Sequence, residues 1–218
     1  MLETKYKGNV LISMNLFGYE MLRALVSVGI KISAIYTLPP EKAKSVSDYQ
    51  DFTKIAEDNN IEIKFVENIN QYADDIKKIN PGYIFVFGWS QILDKALLQI
   101  PKYGCIGSHP SLLPRNRGRA TVPWHFINNE KYGGLTIFYL GDDCDNGDII
   151  AQKKFVISKR DNAKTYYDKV IKLGRQIIKE KASNLLNNTL KATKQNENKA
   201  TYLLIRRVED SRLDFKYL

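Results

Sequence analysis

From residue 8 to residue 108 short apolar runs alternate with stretches of helical spacing, which is how successive βαβ units read in sequence. "NVLISM" (9–14) reads as a strand. In "FGYEMLRALVSVG" (17–29), Tyr19, Leu22, Leu25 and Val26 recur at spacings of three and four, and Gly29 falls where a helix stops. Further strands are predicted at "IKISAIYT" (30–37), "IEIKFV" (61–66), "YIFVFG" (83–88, after the Pro81–Gly82 turn) and "YGCIGS" (103–108). Helices are predicted through "DFTKIAEDNN" (51–60), "NQYADDIKKIN" (70–80) and "SQILDKALLQI" (90–100). A nearly continuous apolar run such as 83–88 suits a parallel strand buried on both faces. The expected fold is therefore α/β: a Rossmann-like, doubly wound, mostly parallel sheet flanked by helices. Such sheets bind ligands at the carboxyl ends of their strands, where connections diverge. Two loops occupy that position, "FGWSQ" (87–91) and "SHPSLLPRNRGR" (108–119).

The second half continues with a helix in "ATVPWHFINNE" (120–130) and two strands, "GGLTIFYLG" and "GDIIAQKKFVI", separated by "DDCDN" (142–146). Residues 161–190 form a long amphipathic helix whose apolar stripe holds Ala163, Tyr166, Tyr167, Val170, Ile171, Ile177 and Ile178. After a polar, loop-like "NNTLKATKQNENKA", the tail "TYLLIRRVEDSRLDFKYL" returns to strand-like composition. This divides the chain into one main domain, 1–190, and a linker with a short β-type tail, 191–218. An apolar strand in that tail could pair two subunits as a homodimer.

A net charge of +9 favours an anionic partner, although lysines that only maintain solubility would give the same total. Every apolar run falls short of the roughly 20 residues a membrane-spanning helix needs, so no membrane partner is expected and the cytoplasm is the expected location. Two cysteines and two histidines make no zinc framework, and no metal is expected; Cys105 and Cys144 read as buried small side chains.

His109 follows a buried strand, in a loop stiffened by Pro110 and Pro114. An imidazole held there can exchange protons near neutral pH, or can be tied up by a backbone carbonyl. Asp145, in the turn between two later strands, stands two residues before Gly147, where a missing side chain lets backbone come close to another segment. An Asp/His pair assembled from separate loops is a common acid–base arrangement, whereas turn carboxylates are often only turn formers.

Taken together, "GCIGSHPSLLPRNRGRATVPW" and "GGLTIFYLGDDCDNGDIIAQ" resemble the formyltransferase family that uses N10-formyltetrahydrofolate. The match runs in order through His109, Ser111 to Pro114, Arg117 with Gly118, Gly134 with Thr136, and Asp145 with Gly147. The resemblance implies that Asp145 helps remove the proton of an attacking amine and that His109 stabilises the oxygen gaining charge. In the family's pattern an asparagine stands two residues before the histidine; here that position is Gly107, and Asn116 is the candidate to supply the missing amide, a backbone N–H or a water being the others. Folate would lie along Phe87, Gly88, Trp89, Gln91, Ile92 and Leu93, with Asp142 and Asp143 closing the other side. Trp89 reads equally as core or as pocket wall, and His125 as structural.

Family members act on glycinamide ribonucleotide, methionyl-tRNA or nucleotide-linked amino sugars. The resemblance disfavours the first, because "SMNLFGYEML" lacks a glycine-rich phosphate loop, and the second, because only about thirty residues follow the long helix. It implies a nucleotide-linked, dTDP-type amino-dideoxy sugar as partner and no nucleic acid. Arg115 and Arg119 are the candidate pyrophosphate contacts, Ser111 and Trp124 further substrate-side residues, and Arg117 a structural arginine, the alternatives to a ligand role for these arginines being a solvated loop or a salt bridge to the acidic tail near Glu209 and Asp210. Two alternatives remain at this stage: a methionyl-tRNA-type or other small-amine enzyme, and a folate- or nucleotide-binding homologue impaired by Gly107.

Overall fold

The computed structural model describes Tyr6, residues 8–46 and residues 48–211. Seven strands form one sheet: β1 (Gly8–Ile12), β2 (Ile32–Thr37), β3 (Glu62–Phe65), β4 (Pro81–Val86), β5 (Cys105–His109), β7 (Tyr132–Tyr139) and β8 (Ile149–Val156). Their order is β3-β2-β1-β4-β5-β7-β8. The first five pair in parallel, and β7 and β8 add an antiparallel edge. The chain moves outward from β1 to β3 and then returns to the other side of β1 with β4. The divergence of connections between β1 and β4 makes a switch-point crevice at their carboxyl ends.

All five residues of β1 are buried, as a strand covered on both faces requires. Leu11 belongs to the core on one face with Met21, Leu25, Phe85 and Ile178; Val10 and Ile12 belong to the core on the other with Ala34, Ile76, Ile84 and Leu97. Burying each such side chain contributes ~1.5–3 kcal/mol. Helices α1 (Leu16–Ser27) and α6 (Ala163–Leu186) cover the first face and pack on each other. Short helices α2 (Thr53–Asp58), α3 (Ala73–Ile79), α4 (Lys95–Leu98) and α5 (Thr121–Ile127) complete the layers. Among the described residues no helix is long and apolar enough to cross a membrane.

The helix expected over 90–100 contracts to α4, for a local reason. Asp94 caps it by accepting from the Leu97 N–H at 2.9 Å, which starts the helix there. The residues before Asp94 are drawn instead to the 67–70 loop: Gln91 donates to the Glu67 carbonyl and accepts from the Ile69 N–H, and Asn70 donates to the Ile92 carbonyl.

The strand-like tail also takes a different form. Among its described residues only Tyr202–Leu203 is a strand, β9, and it pairs with β6 (Arg117–Gly118) of the same chain. Val208–Ser211 is a 3₁₀ turn, and residues 212–218 lie outside the described residues. The Asn162 side chain accepts from the Thr165 N–H, and the Thr165 hydroxyl accepts from the Asn162 N–H, a capping box at the start of α6. Asn162→Ala is expected to lower stability by ~1 kcal/mol in urea unfolding, with the m-value unchanged.

Candidate functional site

The crevice between β1 and β4 opens into a cleft of about 660 Å³. Its walls are Met14 and Asn15 after β1, residues 88–93 after β4, residues 107–110 at the end of β5, residues 118–123, and the turn 140–145. Both loops singled out by topology reach it.

His109 is the last residue of β5 and is 5% exposed. Its Nε2 lies 2.6 Å from the Asn116 carbonyl oxygen, with Thr121 Oγ1 3.3 Å away. A carbonyl only accepts, so Nε2 carries hydrogen and donates. The opposite nitrogen, Nδ1, faces Asp145 Oδ2 at 3.4 Å. The imidazole thus has one nitrogen donating to a carbonyl and the other facing a carboxylate, across which a proton can pass. The carbonyl capture that competes with a catalytic reading occurs at one ring nitrogen and leaves the other for Asp145.

The loop that carries Asn116 is held rigidly. Thr136 Oγ1 donates to the Ser111 carbonyl at 2.7 Å and accepts from the Leu113 N–H at 3.2 Å; Gln152 Nε2 donates to the Leu113 carbonyl at 2.8 Å. Tyr166 donates its hydroxyl to the Pro110 carbonyl at 2.8 Å. Asp145 sits in the left-handed region, φ 53°, and its Oδ2 accepts from the Gly118 N–H at 2.9 Å. The turn passes so close to β7 that a Cβ on Gly147 would stand 1.7 Å from the Tyr139 carbonyl oxygen, which accounts for that glycine.

Other expected site residues divide clearly. Gly88, Trp89, Gln91, Ile92, Leu93, Asp142, Asp143 and Arg119 line the cleft. Trp89 is both wall and core, lining the cleft while packing on the core face of Val10 and Ile12, and its buried indole N–H has no protein partner. Phe87 does not line it: its ring is buried against Phe17 and Phe85, and its N–H is donated to the Ile12 carbonyl. Ser111 is fully buried with its hydroxyl donated to the Arg115 carbonyl, and Arg115 itself is exposed off the cleft. Trp124 donates its indole N–H to the Leu204 carbonyl and stacks under Arg206, away from the cleft.

Asn116 does not supply an amide to the cleft, because its Nδ2 donates to Glu130 at 2.9 Å; its part is played by its carbonyl. His125 is structural as expected, buried with Nδ1 donating to the Thr121 carbonyl. Arg117 is structural too, but its carboxylate partner is Glu197, not Glu209 or Asp210. The Glu197 carboxylate pushes the guanidinium up and is itself held below the ordinary carboxylate range.

Leu140 is a site residue that no motif announced. A Cβ on Gly107 would stand 2.4 Å from Leu140 Cδ2, so the leucine fills the place where a side chain at 107 would begin. Gly107→Asn is expected to destabilise the protein, and Leu140→Ala in the same chain to recover most of the loss, read as a coupling of about 1 kcal/mol or more in a double-mutant cycle.

Cys105 is buried, whereas Cys144 lies exposed in the acidic turn, contrary to its reading as a buried side chain. Desolvation, and then the Asp145 carboxylate beside it, push the Cys144 thiol up to about 11. Thiolate is the reactive form, but a more basic thiolate is also more nucleophilic, so alkylation of Cys144 at pH 8 should run about tenfold slower than for an ordinary cysteine. Asp145→Asn should speed it, measured by mass spectrometry of the labelled peptide.

The fold is thus a doubly wound α/β sheet with a facing His109–Asp145 pair on the wall of its switch-point cleft. The family model described as "Formyl transferase" matches residues 12–182, and the chain belongs to that family. The chain is 31% identical over 206 residues to the methionyl-tRNA formyltransferase of Caldanaerobacter subterraneus subsp. tengcongensis, covering 92% of this chain and 66% of that protein. It is 36% identical over 188 residues to the methionyl-tRNA formyltransferase of Ehrlichia ruminantium (strain Gardel), covering 84% and 61%. The chain thus spans just under two thirds of the length of these relatives. Its fold matches the N-formyltransferase from Helicobacter canadensis, solved with folinic acid and dTDP-3-aminofucose, at a TM-score of 0.71 and 21% identity, over 94% of this chain and 72% of that one.

Proposed function

We propose that this protein transfers a formyl group from N10-formyltetrahydrofolate to a primary amine, and that the amine belongs to a nucleotide-linked amino-dideoxy sugar. The observation that carries the transfer is the His109–Asp145 pair on the wall of the cleft. The folate fits the residues present: the cleft lies within the range of about 300–1,000 Å³ usual for small-molecule sites, and the Trp89 N–H is a buried donor awaiting an acceptor. Residues 88–93 and the 142–143 turn would hold it.

N10-formyltetrahydrofolate, when bound, supplies a carbonyl carbon that an amine can attack. Asp145 accepts the proton that the attacking amine loses, with His109 sharing that proton through Nδ1. The charge that the His109 ring gains when Nδ1 takes up that proton stabilises the formyl oxygen as it becomes negative. The same pair returns the proton to the nitrogen that departs, so the pair ends as it began. A positioned acid or base contributes about 10²- to 10⁴-fold in rate. No side-chain amide from position 107 takes part, and Leu140 makes that quarter of the cleft apolar.

Two observations support the sugar: the likeness in fold to the Helicobacter canadensis enzyme, and Arg119 at the cleft, whose planar fork suits a pyrophosphate. A second reading, methionyl-tRNA as acceptor, is favoured by the identity to the curated relatives. Incubation with N10-formyltetrahydrofolate and a panel of dTDP-3-amino and dTDP-4-amino sugars, beside methionyl-tRNA, separates the two by mass of the product. Formylation of the tRNA alone rejects the sugar; no formylated product rejects the transfer. His109→Ala and Asp145→Asn are each expected to lower kcat by about 10²- to 10⁴-fold while the protein stays folded by circular dichroism.

A further inference from the structure

The segment after α6 was expected to be a linker, yet one residue in it ties together the two loops that bring His109 and Asp145 into register. Gln195 is 6% exposed. Its Oε1 accepts from Arg117 Nη2 at 2.8 Å and from Nε at 3.3 Å. Its Nε2 donates to the Asp145 carbonyl at 2.8 Å and to the Gly147 carbonyl at 2.6 Å. A single amide thus spans from the loop after His109 to the turn that holds Asp145. Only an amide satisfies both sides, because one needs an acceptor and the other a donor.

Arg117 is the fixed end of this bridge. It is fully buried, and its guanidinium is held by Glu197 and by the Tyr202 hydroxyl at 2.8 Å. Its backbone N–H is donated to the Thr201 carbonyl, and Thr201 Oγ1 accepts the Asn116 N–H at 2.8 Å. Asn116 is the residue whose carbonyl takes the His109 Nε2 hydrogen. The segment 195–202 therefore grips both halves of the pair, and Gln195 is where the grip on Asp145 is made.

We infer that Gln195 is a positioning residue that sets the His109–Asp145 geometry, through Arg117 on one side and the backbone of the Asp145 turn on the other. The inference rests on the proposed formyl transfer only for its kinetic consequence. A displacement of about 1 Å at a reacting pair costs on the order of 10²-fold in rate.

The test uses Gln195→Glu, which keeps an acceptor for Arg117 but turns a carboxylate toward two carbonyl oxygens, and Gln195→Met, which removes both functions at similar volume. Asn162→Ala, on the cap of α6, controls for general loosening. With only two histidines in the chain, ¹⁵N-labelled imidazole signals are readily assigned. Both Gln195 variants should move the His109 Nδ1 signal and its pH titration while leaving His125 unchanged. They should lower kcat about a hundredfold with KM for folate and amine within about threefold. The control should move neither.

Wild-type His109 signals in folded Gln195→Met overturn the inference, and failure of both Gln195 variants to fold overturns it too, by making Gln195 a folding residue. If the wild-type protein formylates no amine while the Gln195 variants still displace the His109 signal, formyl transfer falls and the positioning role stands.

Discussion

The hydrogen bond from His109 Nε2 to the Asn116 carbonyl, 2.6 Å long and buried, is the contact on which the site depends. It decides which ring nitrogen carries hydrogen, and so leaves Nδ1 to meet Asp145. Much of the surrounding structure holds that carbonyl in place. Asn116 has φ 61°, which asparagine tolerates better than most residues, and its side-chain amide is anchored on Glu130. Thr136, Gln152 and Tyr166 fix the loop between His109 and Asn116 from the β7, β8 and α6 side.

The cleft combines this polar corner with an apolar one. Gly107 and Leu140 are matched in volume, the leucine occupying what a side chain at 107 would need. That corner therefore presents methyl groups to the cleft, while the polar groups gather on the His109 and Asp145 side.

Much of the fold could be read from residue spacing. The βαβ alternation, the buried "YIFVFG" strand and the α6 stripe depend on local periodicity, and their boundaries differ from expectation by a few residues. The 90–100 helix was an exception because the side chains of Gln91 and Asn70 bind backbone from segments some twenty residues away. In the site, His109 and Asp145 stood out because each lies in a short motif of turn-forming residues. Gln195 and Glu130 did not, since each lies in an ordinary polar stretch and acquires its role only from a partner distant in sequence or in another element. Ser111 and Asn116 stood in the right loop, but backbone geometry turned their side chains away from the cleft.

By itself the sequence determined the order of elements, the switch-point location of the cleft and, through its resemblance to a family, which histidine and which aspartate to look for there, because hydrophobic periodicity and short motifs are properties of neighbouring residues. Only the tertiary structure decided the tautomer of His109, the match between Gly107 and Leu140, and the return of residues 195–203 to β6 to grip the site. Each of these is set by a distance between residues seven to 85 positions apart, and such distances exist only once the sheet has closed the loops upon one another.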